Sequence, residues 1–362
     1  MNAINDTRDK KQTTMLRLLP SCLLFAVMPF TAVSAADKVD EALLRGAQFL
    51  TTQQDDKTGS VSIKGRNETA MTSLTILALA ALGHQPADPT PEGKTMRKGL
   101  AFILRPELQQ KDGYFGQADN SRMYGHGITT LMLSEMLGMG ADAAQDELIR
   151  EKCRKAIQLI ERSQKVTKNE HSRGGWRYTP DDASSDLSAT VWQVMALRAA
   201  KNAGLDVSNG AVDEAIKYIK RLYEEDPDKN LNPRPGGFGY QNKGHEVSTT
   251  SEGLLAMQVC GQYEAPEARG AAERLLKEGV RPEERWFYYT TYYYAQGMYQ
   301  SGGKFAVEGR KVVSDILLPL QSRNGSWETG GGDGREQGPI YATSMAILSL
   351  AVKNHFLPIY QR

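Results

Sequence analysis

Cysteine and histidine are scarce, at three and five in 362 residues. Cysteines this few make no disulfide framework. None of Cys22, Cys153 and Cys260 has a Cys or His neighbour at zinc-ligand spacing, so no metal site is assigned. An excess of one charge is missing as well: Lys plus Arg number 44 against 43 Asp plus Glu. A chain this close to neutral has no electrostatic reason to seek nucleic acid or an anionic membrane. Phosphate-loop chemistry is also lacking, because Gly330-Gly331-Gly332-Asp333-Gly334 is not followed by Lys-Ser or Lys-Thr.

Leu18 to Phe30 is apolar, but it is too short and too interrupted for a comfortable membrane span. It follows Arg17 and precedes the small residues Val33-Ser34-Ala35. That is the pattern of a secretory signal, with cleavage expected after Ala35. The expectation is a signal peptide over residues 1–35, one repeat domain over 36–362, and no stable membrane span after cleavage. The location would be periplasmic or extracellular. An uncleaved anchor is the alternative. Cleavage removes Arg8, Lys10, Lys11 and Arg17 against Asp6 and Asp9, and leaves the chain near neutral. Cys22 leaves with the signal. Cys153 shares an apolar helix face with Ala156, Ile157 and Ile160, and Cys260 ends an apolar run. Both read as buried thiols, with a bridge between them as the alternative.

Glycine is plentiful and placed in register. Gly59-Ser60-Val61, Gly113-Tyr114-Phe115, Gly174-Gly175-Trp176, Gly236-Gly237-Phe238, a degenerate Glu284-Arg285-Trp286, and Gly325-Ser326-Trp327 each separate two helix-like segments. A repeat of this length sets the architecture. Segments before the turns are one-faced: Val212, Ala215, Ile216, Ile219 and Leu222 alternate with Asp213, Glu214, Lys217, Lys220 and Arg221. Segments after the turns are apolar nearly all round, as in Ala189 to Ala200, and demand burial on every side. The expected fold is all-α, an α/α toroid of six helix pairs with the apolar helices inside. The inner ring is expected at Met71–Leu82, Ile128–Leu137, Ala189–Ala200, Thr250–Cys260, Tyr289–Tyr299 and Tyr341–Val352. An open solenoid is the competing arrangement. In a toroid the inner helices start at one rim, where Thr69, Ser188, Ser248, Thr249, Thr250, Thr343 and Ser344 gather and the first few read as helix caps.

The turns have an upstream partner. Arg45 to Gln54 leads into Gly59, and Lys155, Leu159, Ile160 and Gln164 lead into Gly174-Gly175-Trp176. Lys98-Gly99, and Gln321 ahead of Gly325-Ser326-Trp327, are partial copies. This resembles the Gln–Trp repeat of terpenoid cyclases, and more broadly the repeats of protein prenyltransferase β subunits. The resemblance spans nearly the whole mature chain and implies the toroid. It implies that a Gln ending the outer helix bonds the turn and lies against the Trp.

The departures from that family bear on activity. Asp181-Asp182-Ala183-Ser184-Ser185-Asp186 lacks the Asp-x-Asp-Asp spacing of the cyclase acid. Cys260 is preceded by Gln258 where prenyltransferases have the zinc-binding Asp. The Gly-Cys-Gly-Glu-Gln of complement-like thioester domains is absent. The resemblance therefore implies the fold and removes these activities.

Candidate chemistry falls at the expected rim. Asp182 and Asp186 follow the third turn, and paired carboxylates serve as acid and base or bind a hard cation. Their structural alternative is a solvated loop with Asp186 capping a helix. His126, and His245 with Glu246, occupy equivalent places in repeats two and four, where base and acid could face each other. A capping or surface role is the alternative. His84, His171 and His355 read as a helix stop and two surface groups. Tyr124, Tyr178, Tyr240, Tyr288, Tyr292 and Tyr341 are ligand-binding candidates: Tyr124, Tyr178, Tyr240 and Tyr341 recur near the turns, and the tyrosines crowded on the fifth inner helix carry more hydroxyls than a dry core would partner, which implies a wet cavity. Residues 330–334 read as a mobile flap over the rim.

Three functions remain open on the sequence: an exported toroid binding a ligand at its rim, a polysaccharide lyase or hydrolase, and a divergent terpenoid-processing enzyme. The partner is an unidentified small molecule, glycan or peptide, and no cofactor is assigned.

Overall fold

The computed structural model describes residues 35–62, 65–227, 234–328, 332–354 and 356–361. The leader up to Ser34, with Cys22, lies outside the described residues, as do His355, Gly330 and Gly331.

Six one-faced helices form the outer layer: α1 (Ala35–Thr52), α3 (Pro91–Ile103), α5 (Ala143–Gln164), α7 (Asn209–Arg221), α9 (Pro266–Glu278) and α11 (Gly303–Leu317). Six apolar helices form the inner layer: α2 (Glu68–Ala81), α4 (Arg122–Glu135), α6 (Leu187–Asn202), α8 (Val247–Val259), α10 (Phe287–Ser301) and α13 (Pro339–Leu350). A short α12 (Gly332–Gln337) precedes α13. The two kinds differ as their sequences require. In α7 only Ala211, Ala215, Tyr218 and Ile219 are buried, whereas α6 buries every residue from Leu187 to Ala200 except Arg198. Inner helices pack in the order α2, α4, α6, α8, α10 and α13, and α13 returns to α2. The ring is closed, and the open solenoid is excluded.

Among the described residues, the only named strands are Tyr223–Glu225 and Gly236–Phe238, a small antiparallel ribbon in repeat four. Cys153 is buried, Cys260 is half-buried, and both are free thiols.

Glutamine side chains bind the layers together. Gln54, Gln109, Gln164 and Gln321 donate to the carbonyls of the turn glycines Gly59 (2.9 Å), Gly113 (3.0 Å), Gly174 (2.8 Å) and Gly325 (3.0 Å). The same amides also donate to the next outer helix, at Thr95 (2.9 Å), Lys152 (2.9 Å), Ala211 (2.8 Å) and Ala42 (2.8 Å). Ala42 lies in α1, so Gln321 joins the last repeat to the first. Trp176 and Trp327 are buried, and their indole N–H groups donate to Ile160 and Leu317 carbonyls, both at 2.8 Å. Glycine is required at Gly174: its φ is +95°, and an added Cβ would stand 2.2 Å from the Glu214 carbonyl oxygen.

A second link closes five of the six turns from the inner side. The amides of Val61, Trp176, Phe238 and Trp327 donate to the hydroxyls of Thr72 (2.9 Å), Thr190 (3.0 Å), Thr250 (3.2 Å) and Thr343 (2.9 Å). In repeat two His126 takes that place, with Nδ1 accepting from Phe115 N at 3.3 Å. Thr250 and Thr343 are therefore turn clamps rather than helix caps.

Candidate functional site

Neighbouring repeats are stapled where the inner helices begin. Met123 N donates to the Tyr178 carbonyl and Leu187 N to the Tyr240 carbonyl, both at 2.9 Å. Three aspartates cap starting amides. Asp119 accepts from Thr69 N (2.8 Å) and Ala70 N (3.2 Å). Asp186 accepts from Ala189 N at 2.8 Å. Asp333 accepts from Tyr289 N (3.0 Å) and Tyr288 N (3.4 Å). The inner helices thus start side by side at one rim, with carboxylates on their positive ends.

Asp333 comes from the glycine-rich segment expected to be a flap. That expectation is corrected for its described part: residues 332–337 form a helix, and Asp333 is fully buried as the α10 cap. Burial raises the Asp333 carboxyl to about 6, against the pull of the amides it accepts from.

One stretch of the rim carries a polar aromatic cluster. Tyr124 and Tyr178 stack with centroids 6.1 Å apart, and the Tyr178 and Tyr240 hydroxyls are 2.6 Å apart. Arg177 and Arg122 lie over the Tyr178 ring at 4.9 and 5.9 Å. The Tyr124 hydroxyl is 2.6 Å from Ser188 Oγ, which donates to Asp186 Oδ1 at 3.2 Å. Asp186 Oδ2 faces Arg177 Nε at 3.8 Å. Burial raises the Asp186 carboxyl, while the Ala189 amide and Arg177 oppose the rise.

Inside this cluster stands a carboxyl group that sequence reasoning missed. The turn clamps face outward, so a residue two positions further on lies about 200° round the helix and faces the lumen. Those positions hold Leu74, Ile128, Trp192, Tyr292 and Met345 in five repeats, and Glu252 in the fourth. All six are buried. Glu252 Oε2 has no hydrogen-bond partner. Burial raises this carboxyl well above the usual range, and the nearby Asp186 and Glu246 raise it further. Burial thus favours its protonated form. A charge on it would be felt by Tyr124, Tyr289 and Tyr341, which belong to α4, α10 and α13. The readable signal was a lone Glu in the apolar run after the fourth turn.

At the level of Glu252 the lumen is filled. Trp192 stacks on Tyr292 at 5.9 Å with the planes 8° apart, although α8 lies between their helices in the ring. Tyr293 packs edge-on against both. The C-terminal segment closes the far end. Tyr292 and Tyr360 share a hydroxyl hydrogen bond, Gln300 donates to the Tyr360 carbonyl at 2.8 Å, and Ile359 N donates to Glu135 Oε1 at 3.2 Å. Burial pushes Glu135 up to about 8, only partly offset by that amide.

The expected site residues divide. Tyr124, Tyr178, Tyr240 and Asp186 come together. Asp182 stands apart, accepting from Thr179 N at 2.7 Å within its own turn. His126 needs correction: it is fully buried, Nε2 lies 3.2 Å from the Ala156 carbonyl, and burial lowers its pKa to about 3. It is a neutral turn clamp away from the rim. His245 and Glu246 are exposed and line a different pocket, where His245 Nδ1 is 3.5 Å from Glu224. Among the described residues no hydrogen bond or ion pair joins Asp182 or Asp186 to His126, His245 or Glu246. Tyr288 and Tyr292 do not line a wet cavity. Tyr288 packs against Phe287 with centroids 4.9 Å apart, and Tyr292 finds its partner in Tyr360. Tyr341 is buried beside Asp333 and Glu252. Among the described residues, no group of three or more His, Cys, Asp or Glu could hold a metal ion. No described helix is long and apolar enough to cross a membrane.

No family model matches the sequence, and no curated protein does. Solved structures match over nearly the whole chain. A cellobiose 2-epimerase from Bacillus thermoamylovorans is 12% identical with a TM-score of 0.59, over 87% of this chain and 99% of that one. A type II terpene cyclase from Scytonema is 12% identical with a TM-score of 0.54, over 90% and 99%. An alpha-mannanase from Bacteroides thetaiotaomicron is 11% identical with a TM-score of 0.50, over 89% and 96%. At these identities the likeness is one of fold, the α/α toroid, and of fold alone.

Proposed function

We propose that the chain binds a glycan at the tyrosine-lined rim and that Glu252 is the proton donor of a hydrolase-type reaction there. The observation that carries this reading is Glu252 itself, the one carboxyl in a lumen layer otherwise made of Leu, Ile, Trp, Tyr and Met. Its unpartnered oxygen, and the burial that favours its protonated form, suit donation to a leaving-group oxygen. The Tyr124 and Tyr178 rings offer faces for sugar C–H groups, and the nearby hydroxyls and guanidinium groups offer hydrogen bonds. Asp186 acts as a positioning residue, holding Ser188 and Arg177. A terpenoid chain would need an empty apolar chamber, and the lumen is occupied by Trp192, Tyr292, Tyr293 and Tyr360. Export is part of the proposal and rests on the leader pattern ending at Ala35, where the compact unit begins.

The test is a screen of neutral oligosaccharides for binding and turnover. Glu252→Gln should retain binding and lose turnover, whereas Tyr178→Ala should weaken binding about tenfold. Binding indifferent to Tyr178→Ala, or turnover surviving in Glu252→Gln, would sink the reading.

A further inference from the structure

Five repeats join the turn amide to a Thr or His one turn into the inner helix. The fifth does not. Its degenerate turn runs directly into α10, with Trp286 immediately before the helix. The equivalent residue, Thr290, is fully buried, and its hydroxyl has no hydrogen-bond partner. Thr290 lines a pocket of about 360 Å³. The facing wall is the first turn of α8, at Val247 and Ser248. Glu246, before α8, makes no capping bond, and among the described residues no other side chain accepts from the first α8 amides. Elsewhere on the rim, Asp119, Asp186 and Asp333 put a carboxylate on the amides that start α2, α6 and α10.

We propose that this pocket binds the free carboxylate of a ligand, which takes on α8 the place those aspartates take on their own helices. Three kinds of donor belong to residues of its lining: the amides that start α8, the buried Thr290 hydroxyl and the Arg285 guanidinium. Two acidic side chains of the lining have cations beside them: Glu278 lies 3.0 Å from Arg274, and Glu284 lies 3.9 Å from Arg281. Glu246 is exposed to solvent. Arg285 lies over the Trp286 ring at 4.6 Å and is 3.8 Å from Glu336, an ion pair that a buried carboxylate would outcompete. Trp286 is 42% exposed and offers its ring to the body of the ligand. A uronic acid and a peptide C-terminus present the same carboxylate.

Trp176, Trp192 and Trp327 are buried, so tryptophan fluorescence reports ligand contact at Trp286. The full chain is titrated with galacturonate and with N-acetylalanine, using galactose and N-acetylalaninamide as uncharged controls. The carboxylates should quench emission and the controls should not. Quenching by galacturonate alone assigns the site to acidic sugars, and by N-acetylalanine alone to peptide termini. Thr290→Val preserves shape and should weaken binding about tenfold. Arg285→Gln, at a largely exposed side chain, should do the same without touching the fold. Absence of quenching, equal quenching by the uncharged controls, or affinity unchanged in both variants would overturn the proposal. Neutral glycans test the Glu252 reading separately, so either can fail alone.

Discussion

Replacing Glu135 by Gln should change how stability depends on pH. Glu135 is 5% exposed at the end of α4, where Oε1 accepts the Ile359 amide and Oε2 has no partner. Burial holds its folded pKa at about 8, against 4.5 for an ordinary glutamate side chain. The sign follows from proton counting. Below about 4.5 both folded and unfolded chains are protonated at this residue, and no penalty arises. Between about 4.5 and about 8 the folded chain keeps a proton that the unfolded chain releases, so stability falls as pH rises. At ~1.4 kcal/mol per pH unit, the loss accumulates to the order of 4 kcal/mol by about pH 8. Gln keeps the acceptor for Ile359 and has no proton to lose. Urea denaturation of both proteins across this range measures the difference directly. The two should match near about pH 5, and the variant should be more stable by several kcal/mol near about pH 8. A stability difference that is flat with pH would refute the buried, protonated state of Glu135.

Two further substitutions test the framework. Trp176→Ala should cost roughly 3–5 kcal/mol in the same denaturation assay, because it empties a buried ring site and orphans the Ile160 carbonyl; a loss under about 1 kcal/mol would show that the ring is not a packing element. His126→Thr should leave any glycan turnover unchanged and cost no more than about 2 kcal/mol, because Thr is the clamp in four other repeats; lost turnover with intact stability would return His126 to the active site.

The helices were legible because their periodicity is a burial pattern. Met71–Leu82 and Ala189–Ala200 are apolar on every side, and they occupy α2 and α6. The turns were legible because only glycine tolerates contact with the next outer helix, as at Gly174. The site was legible in part. Tyr124, Tyr178, Tyr240 and Asp186 follow the glycine turns in sequence and meet at the rim in space. His126 misled because place in the repeat does not fix direction: the same rotation that puts Glu252 in the lumen turns His126 outward onto the Phe115 amide. Asp333 was hidden by its glycine neighbours, which read as a flap when the residue is a cap in trans. The tail from Leu357 to Tyr360 was unreadable, since its partners Glu135, Tyr292 and Gln300 belong to distant helices.

The repeat itself separates framework from function. A residue that recurs in register does the same mechanical work each time, as the clamping threonines and the paired glutamines do. A residue that breaks register has been released from that work. Glu252 breaks the lumen layer, and it costs stability there, because an unpartnered acid in a dry interior is worse than the Leu, Ile or Met of the other repeats. Glu252→Leu should therefore raise stability while abolishing any activity at the rim, a trade expected of a functional group and not of a structural one. Thermal unfolding of Glu252→Leu beside the parent chain decides the point. A variant less stable than the parent would mean that Glu252 has a structural partner, and the assignment of Glu252 as proton donor would fall with it.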